Sequence, residues 1–477
     1  MTTFRGAVLA ALIGLSGILC SAPSPQGVDA AQSPFLVKPY LQLGNYAQPS
    51  NPERLALLWH TAGADADWRV EVKSSAANEW SACDSPVERR IAVSGIPPHR
   101  VYRAVLSRLP PGEEFEYRVL KNGKEVFRAQ GRSRKPVGRP YRFVVFGDCG
   151  AGTASQAAVA YQIFQAKPDF VVTAGDIVYG NGRISEYRTK FFPIYNADGP
   201  SMTGAPLIRS TLFLAAPGNH DMSNRFPDGL AYFLYWDQPL NGPIAESSSM
   251  HAPALPGDED QAAFLRAAGS TYPRMGNFSF NYGNSHWTVL DSNRYVDWNS
   301  PALRAWVAGD LSAARRAAWR FVVFHHPPFH SSHRHFEDQW MRVLADVFQA
   351  GNVDIVFAGH VHNYQRSLPL RFTPKAGSDG NLLARSGRVD GAFALDRNFD
   401  GKARTRPNGI LYLVTGAGGA GLYDPDQQND RSSWQEFTAR FFSNQHSFTL
   451  VNVDGKRLDV TQVAEDGAVL DQFTVSK

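Results

Sequence analysis

RFVVFGDCG, residues 142–150, is an aromatic and β-branched run that stops at a glycine followed at once by a carboxylate. The same grammar returns in DFVVTAGD (169–176), LFLAAPGNH (212–220), RFVVFHH (320–326) and VDIVFAGH (353–360). Helical stretches are expected between these strands. Thr153 opens one, with Gln156 three positions on as its capping-box partner. Pro301 behind Ser300 starts a second that reaches about residue 318, and a third covers 336–350 with Gly351 as its stop. Strands alternating with helices predict an α/β fold.

The flanks read differently. Short strands at 54–62, 68–73, 100–109 and 114–120 carry the alternating character of half-buried β structure. Lys121-Asn122-Gly123-Lys124 joins the last of them to its successor as a hairpin, because Asn-Gly tolerates positive φ at both central positions. Six or seven strands in about a hundred residues predict a β-sandwich. Its closing stretch, HRVYRAVLSRLPPGEEFEYRV, resembles a fibronectin type III-like domain. Trp59 and Trp68 are assigned to its core rather than to a carbohydrate platform. At the other end, 447–476 reads as a three-strand meander turning at Asp454-Gly455 and Asp466-Gly467. Region 222–275, aromatic and Pro-rich, is expected to include long loops over one face of the sheet. There is no internal repeat. The chain is therefore multidomain: 1–31 an export signal, 33–136 the all-β sandwich, 140–477 the α/β catalytic region with a small C-terminal β meander from about 444, and 131–140 the linker.

Composition narrows the class. The chain has 477 residues, 43% apolar and 19% charged, as in a globular protein with a sizeable core. A net charge of +4 without an arginine-rich tract argues against a nucleic-acid partner. Arg5, the apolar run from Ala7 to Leu19 and Val28-Asp29-Ala30 compose an export signal with a cleavage site, so the mature chain is expected to be periplasmic or extracellular. That run is too short for a membrane span and no second one follows. Cys20 would suit a lipoprotein signal, but the bulky Leu19 before it does not. Removal of the signal leaves Cys83 and Cys149, expected as free thiols.

Asp148, Asp176, Asn219, His325 and His360 each follow an apolar strand directly, where ligand sites form in open α/β sheets. Tyr179 and His362 can join from the adjoining loops. Hard oxygen donors mixed with three imidazoles suit first-row transition ions rather than Ca²⁺ or structural Zn²⁺. Seven ligands are too many for one ion with an open position, and they divide well between two if a carboxylate bridges.

In order, GDCG (147–150), GDIVY (175–179), GNHD (218–221), VVFH (322–325) and GHVH (359–362) resemble the five metal-binding blocks of purple acid phosphatases. FSFNYGNSHWTVLDS (278–292), HNYQR (362–366) and GILYLVTGAGG (409–419) also look like segments of that family, so the resemblance covers nearly the whole mature chain. It implies a metallophosphoesterase sandwich in which Asp148, Tyr179 and His362 hold Fe(III), Asn219, His325 and His360 hold a divalent ion (Zn, Fe or Mn), and Asp176 bridges. Gly150 stands where broader metallophosphoesterases carry a ligand His, and Tyr179 stands where the purple type needs its phenolate. GNHD departs from the GNHE usual in plant members, which bears on specificity.

The resemblance implies hydrolysis of small phosphorylated substrates, monoesters first, by a water made acidic between two metals. Diesters or nucleotides are the alternative, and a non-catalytic binding protein a remote one. His220 is expected at a phosphate oxygen. His335, with His333 as runner-up, is expected to protonate the leaving group. His326 is read as structural at the Pro327-Pro328 turn. Cys149 is read as a small buried side chain, and Asp396–Gly401 as a turn that mimics a calcium loop but lacks its acidic twelfth position.

Overall fold

The computed structural model describes residues 33–477 apart from 76, 78, 244–250, 256, 257 and 379–381; the expected export signal lies outside the described residues. All five strands of the repeated grammar form, and they divide between two sheets. The first sheet runs in the order Leu212–Ala216, Phe170–Ala174, Tyr141–Phe146, Ser447–Asp454, Arg457–Ala464, Val469–Ser476. Its first three strands are parallel. The C-terminal meander pairs antiparallel with Tyr141–Phe146, so it extends this sheet instead of standing apart. The second sheet holds Phe278–Tyr282, Ser285–Val289, Trp319–Val323, Ile355–Ala358, Leu411–Thr415, Tyr364–Ser367 and Thr438–Phe442, parallel across the middle four.

The sheets face each other through aromatic side chains. Phe143 of the first meets Trp287 at 4.9 Å, Phe321 at 5.4 Å and Phe357 at 6.1 Å between ring centres, and Phe170 packs on Tyr282 at 4.3 Å. Val144, Phe146 and Val171 point outward onto Val159, Ala160 and Ile163 of helix Ala154–Ala166. Val322 and Val356 do the same toward Leu303, Val307 and Leu311 of helix Pro301–Ala313. Helices thus cover both outer faces, and the central strands are apolar without alternation because both of their faces are buried.

Three local expectations are corrected. Helix Pro301–Ala313 stops five residues short of 318, because the chain must return to the sheet, where Ala318 N–H bonds Asn284 O at 2.9 Å. The helix expected over 336–350 is a 3₁₀ turn, Trp340–Leu344, followed by α-helix Ala345–Ala350. Residues 336–339 instead form a turn behind His335 (φ 63°), closed by Asp338 N–H to His335 O at 2.9 Å. Within 222–275, where long loops are expected, helix Asp258–Ala268 also forms and packs Phe264, Ala267 and Ala268 into the core. At Thr153 the cap forms through Gln156 N–H to Oγ1 at 3.1 Å, but Gln156 Oε1 returns to Gly152 N–H rather than to Thr153.

The N-terminal region is two four-stranded antiparallel sheets, Val37–Gln42, Glu53–Ala62, His99–Leu109, Val87–Ile91 against Ser81–Ala82, Trp68–Ser74, Glu114–Lys121, Lys124–Arg132. Asn122 and Gly123 take φ of 51° and 76°, the mirror-image turn that suits the hairpin twist. Trp59 and Trp68 are buried, with Trp59 stacked on Tyr102 at 5.3 Å, so both belong to the core. The stretch 131–140 is no free tether: Arg134 is fully buried, pairs with Glu53 at 2.9 Å and donates to Asn281 O. Sandwich and α/β region fall in one compact unit, Pro34–Lys477. Among the described residues no helix is long and apolar enough to cross a membrane.

His60 and His99 lie buried where the sandwich meets the α/β region, His60 at 3.0 Å from Tyr40 Oη and His99 at 2.8 Å from Tyr235 Oη. Burial, then the Arg188 charge, pushes the His99 pKa down to about 3; burial and His99 lower that of His60. The unfolded chain therefore takes up protons near pH 6.5 that the folded chain refuses. Stability from this pair is full above that pH and falls as pH drops toward 3. Thermal melts at pH 7.5 and 4.5 should show the drop, and His99→Gln should shrink it by several degrees; an unchanged drop would remove His99 from the account.

Candidate metal centre

The carboxyl ends of strands from both sheets emerge at one end of the sandwich. Backbone bonds stitch them there: Gly147 N–H to Thr415 O at 2.8 Å, and Gly359 N–H to His325 O at 2.9 Å. His360 N–H also donates to Asp148 Oδ2 at 2.8 Å. Asp148, Asp176 and His360 each leave their strand with φ between 51° and 65°, the left-handed region that residues with a Cβ seldom adopt. Such a residue turns the chain at once and leaves its side chain over the sheet end. A Cβ at Gly218 would lie 2.2 Å from Asp176 Oδ1, so Asn219 approaches Asp176 only because 218 has no side chain. At Gly150 a Cβ would fall 1.8 Å from Ile177 O, which leaves no room for an imidazole at that position.

Six of the seven expected ligands come together in two groups, and a ring nitrogen of the seventh, His360, lies within 4.8 Å of one of His325. In one, Tyr179 Oη donates to Asp148 Oδ1 at 2.9 Å, His362 Nε2 is 3.0 Å from Tyr179 Oη, and 3.3 Å separates it from Asp148 Oδ1. In the other, His325 Nε2 lies 3.1 Å from Asn219 Oδ1 and 3.3 Å from Asp176 Oδ1. The groups adjoin, with His325 Nε2 4.0 Å from Asp148 Oδ1. Donors about 2.1 Å from an ion and at right angles around it are roughly 3 Å apart. Both groups have that spacing and the donor chemistry of first-row ions, so the residues present fit two metals.

Second contacts set the imidazole tautomers. His325 Nδ1–H donates to Ala174 O at 2.8 Å and His362 Nδ1–H to Gly421 O at 2.7 Å, so each presents Nε2 to the centre. His360 differs: its Nε2 is 3.1 Å from Asp338 Oδ2. Burial opposes a charge on His325, but Asp176 and Asp148 outweigh it and hold the pKa up to about 9. Burial likewise opposes the Asp176 charge, and His325 overrides it, keeping that carboxyl below the usual range. Burial and the Asp148 carboxylate push the Tyr179 phenol well up; a cation against the same oxygens would supply the opposing charge.

The other candidates separate clearly. His220 anchors Nδ1–H on Gly180 O at 2.6 Å and lies with Nε2 3.9 Å from Asp176 Oδ2, at the open side of the groups. His335 packs on His360 at 4.1 Å between ring centres and is half-buried. His333 is exposed, two residues before His335. His326 is buried, bonded through Nδ1 to Ser292 Oγ at 2.8 Å and packed on Trp340. Cys83 and Cys149 are free; Cys149 is buried, and burial pushes its thiol pKa well up, away from thiolate chemistry. Asp396 and Asp400 spend their carboxylates on backbone N–H groups of their own turn.

Two acids escaped the sequence reading. Asp221 is buried and accepts from Gly218 N–H at 2.8 Å and Ile177 N–H at 3.0 Å, clamping the Asp176 loop to the Asn219 loop. Its position after GNH marked it only as a departure from a pattern. Asp338 had no signal at all, since the helix expected there would place it away from any strand end. Gly218→Ala should displace the Asp176 carboxylate. Elemental analysis should then find fewer than two metals per chain, and full metal content would refute this packing account.

Residues 141–364 match the family model described as calcineurin-like phosphoesterase. Over 250 residues the chain is 27% identical to purple acid phosphatase 23 of Arabidopsis thaliana, an alignment covering 48% of each chain. It is 23% identical over 430 residues to probable inactive purple acid phosphatase 1 of the same plant, covering 83% of this chain and 60% of that one. The chain thus spans about half the length of the curated relatives it matches. In fold it is similar to purple acid phosphatase PPD1 from seeds of yellow lupin, Lupinus luteus, with a TM-score of 0.60 at 18% identity, over 92% of this chain and 74% of that one. The strand-end centre thus lies in a calcineurin-like phosphoesterase domain, in a chain that has purple acid phosphatases among its homologues.

Proposed function

We propose that this chain is an exported phosphatase that hydrolyses phosphate monoesters at a two-metal centre. Asp148, Tyr179 and His362 would hold Fe(III), Asn219, His325 and His360 would hold a divalent ion (Zn, Fe or Mn), and Asp176 would bridge. The observation that carries the reading is the convergence of donors from two sheets at separations of 2.9 to 3.3 Å. Phenolate with carboxylate suits a trivalent ion, and amide with imidazole a divalent one. When bound, such ions acidify water and offset charge on a transferring phosphoryl group.

The chain's own residues do the rest. His220, tied to Gly180 O, keeps Nε2 at the open side, where it meets a phosphoryl oxygen. Asn219 is exposed, which leaves that side of the centre open to substrate. His335 stands beside His360 and gives its proton to the leaving alcohol oxygen. Name-level kinship with a probable inactive relative does not point to inactivity here, because all seven expected donors are present.

The test is direct. Purified mature protein should contain two metals per chain, at least one of them iron, and show a visible absorption band that Tyr179→Phe abolishes. A colourless, iron-free protein under oxidising conditions would sink the Tyr179 assignment. A nitrophenyl monoester should turn over at least about ten-fold faster than the corresponding diester; the reverse order would favour the diesterase reading. Asp176→Asn should cost about 10³-fold in kcat/KM, of the order seen when a residue stabilising the transition state is lost.

A further inference from the structure

Asp338 sits outside every block of the strand-end pattern, yet one of its oxygens touches two of the residues that matter most. Its Oδ2 lies 3.1 Å from His335 Nδ1 and 3.1 Å from His360 Nε2. Its Oδ1 accepts from Arg294 Nη2 at 3.0 Å.

We propose that Asp338 is a positioning residue that sets the tautomers of His360 and His335 together, coupling the divalent ion's ligand to the proton donor. A carboxylate oxygen with two imidazole neighbours accepts an N–H from each. His360 then carries its proton on Nε2, and Nδ1 is the nitrogen that would face a divalent ion, unlike His325 and His362, whose Nδ1–H groups point to backbone carbonyls. His335 carries a proton on Nδ1, which leaves Nε2 as the nitrogen that exchanges a proton with the leaving oxygen. Carboxylates behind metal-bound imidazoles fix ring orientation and raise ligand basicity. Here one carboxylate does so for a ligand and an acid at once. Arg294 holds it in place from the solvent side, where its own side chain is 57% exposed and rests over Trp340.

The turn behind His335 makes this possible. A helix over 336–350 would carry Asp338 on a regular spiral. The observed turn, with His335 at φ 63° and Asp338 N–H on His335 O, brings residues 335 and 338 face to face. A purely structural role would predict lost stability with no change in chemistry, so the readouts are chosen to separate the two.

The inference rests on the two-metal reading above. In Asp338→Asn the group between the two rings is either an NH₂, which accepts from neither, or a neutral oxygen whose companion NH₂ then opposes the Arg294 guanidinium. Divalent-ion affinity, measured by competition with a chelator, should fall about 10- to 100-fold, the range for loss of a carboxylate behind a metal-bound His, with iron content unchanged. With the divalent site saturated, turnover of an alkyl phosphate should fall at least ten-fold more than turnover of a nitrophenyl phosphate, whose leaving oxygen scarcely needs the proton. In a His335→Ala background Asp338→Asn should add nothing to that selectivity. Unchanged metal affinity, or equal losses for both leaving groups, would overturn the proposal. If Asp338→Asn fails to fold, Arg294→Gln at its exposed position should shift both readouts the same way by a smaller factor, and no shift would count against it. Wild-type protein measured in parallel tells the two failures apart: no metal and no turnover removes the two-metal reading and this inference with it, whereas normal wild-type behaviour with an indistinguishable Asp338→Asn removes this inference alone.

Discussion

The aromatic layer of Phe143, Phe170, Trp287, Phe321 and Phe357 governs everything at the open end of the molecule. It holds two sheets face to face, at the separation that large side chains permit, with their strand ends at the same level. Asp148, Asp176 and Asn219 leave the first sheet; His325, His360 and His362 leave the second. The centre is therefore assembled across the seam, with the oxygen donors on one side and the imidazoles on the other. Parted sheets would leave buried carboxylates without their cationic or hydrogen-bonding partners, a costly state.

That arrangement carries strain. Asp148, Asp176 and His360 hold left-handed backbone conformations that cost on the order of 1–3 kcal/mol each outside glycine. The neighbouring backbones are packed tightly enough that Gly150 and Gly218 admit no side chain. The outlay is offset by the deep core on either side and by bonds such as Asp221 to Gly218 and Ile177, which pin the loops without touching the donors. Rigid placement of this kind keeps donors at fixed separations, which a metal centre requires.

Support also arrives from the sandwich, although it places no side chain among the seven donors. Tyr40 packs on Phe192 at 5.3 Å and donates to Tyr235 O at 2.7 Å. The segment 187–195 that it braces reaches back through Lys190, whose ammonium donates to Tyr179 O. Gln156 of the first helix bonds Lys190 O at 2.7 Å, so helix, sandwich and Tyr179 loop form one connected scaffold. The buried His60 and His99 lie within it, which ties the scaffold's firmness to pH.

How much of this was readable beforehand follows from locality. Strand ends were legible because a five-residue apolar run and the polar residue after it lie next to each other in the chain. Asn122-Gly123 and the Thr153 cap were legible for the same reason, since turn and cap chemistry involve neighbours only. Tyr179 stood out by its spacing from Asp176. Asp221 and Asp338 did not, because their roles depend on which loops fold beside them. Helix 336–350 was overextended because apolar spacing cannot register the turn that docks His335 on His360. The sequence by itself determined the strands and the polar residues that follow each of them at once. Only the tertiary structure decided that His335 rather than His333 faces the centre, and that Asp338 stands behind it. Those choices come from packing between segments far apart in the chain, where no local pattern records the outcome.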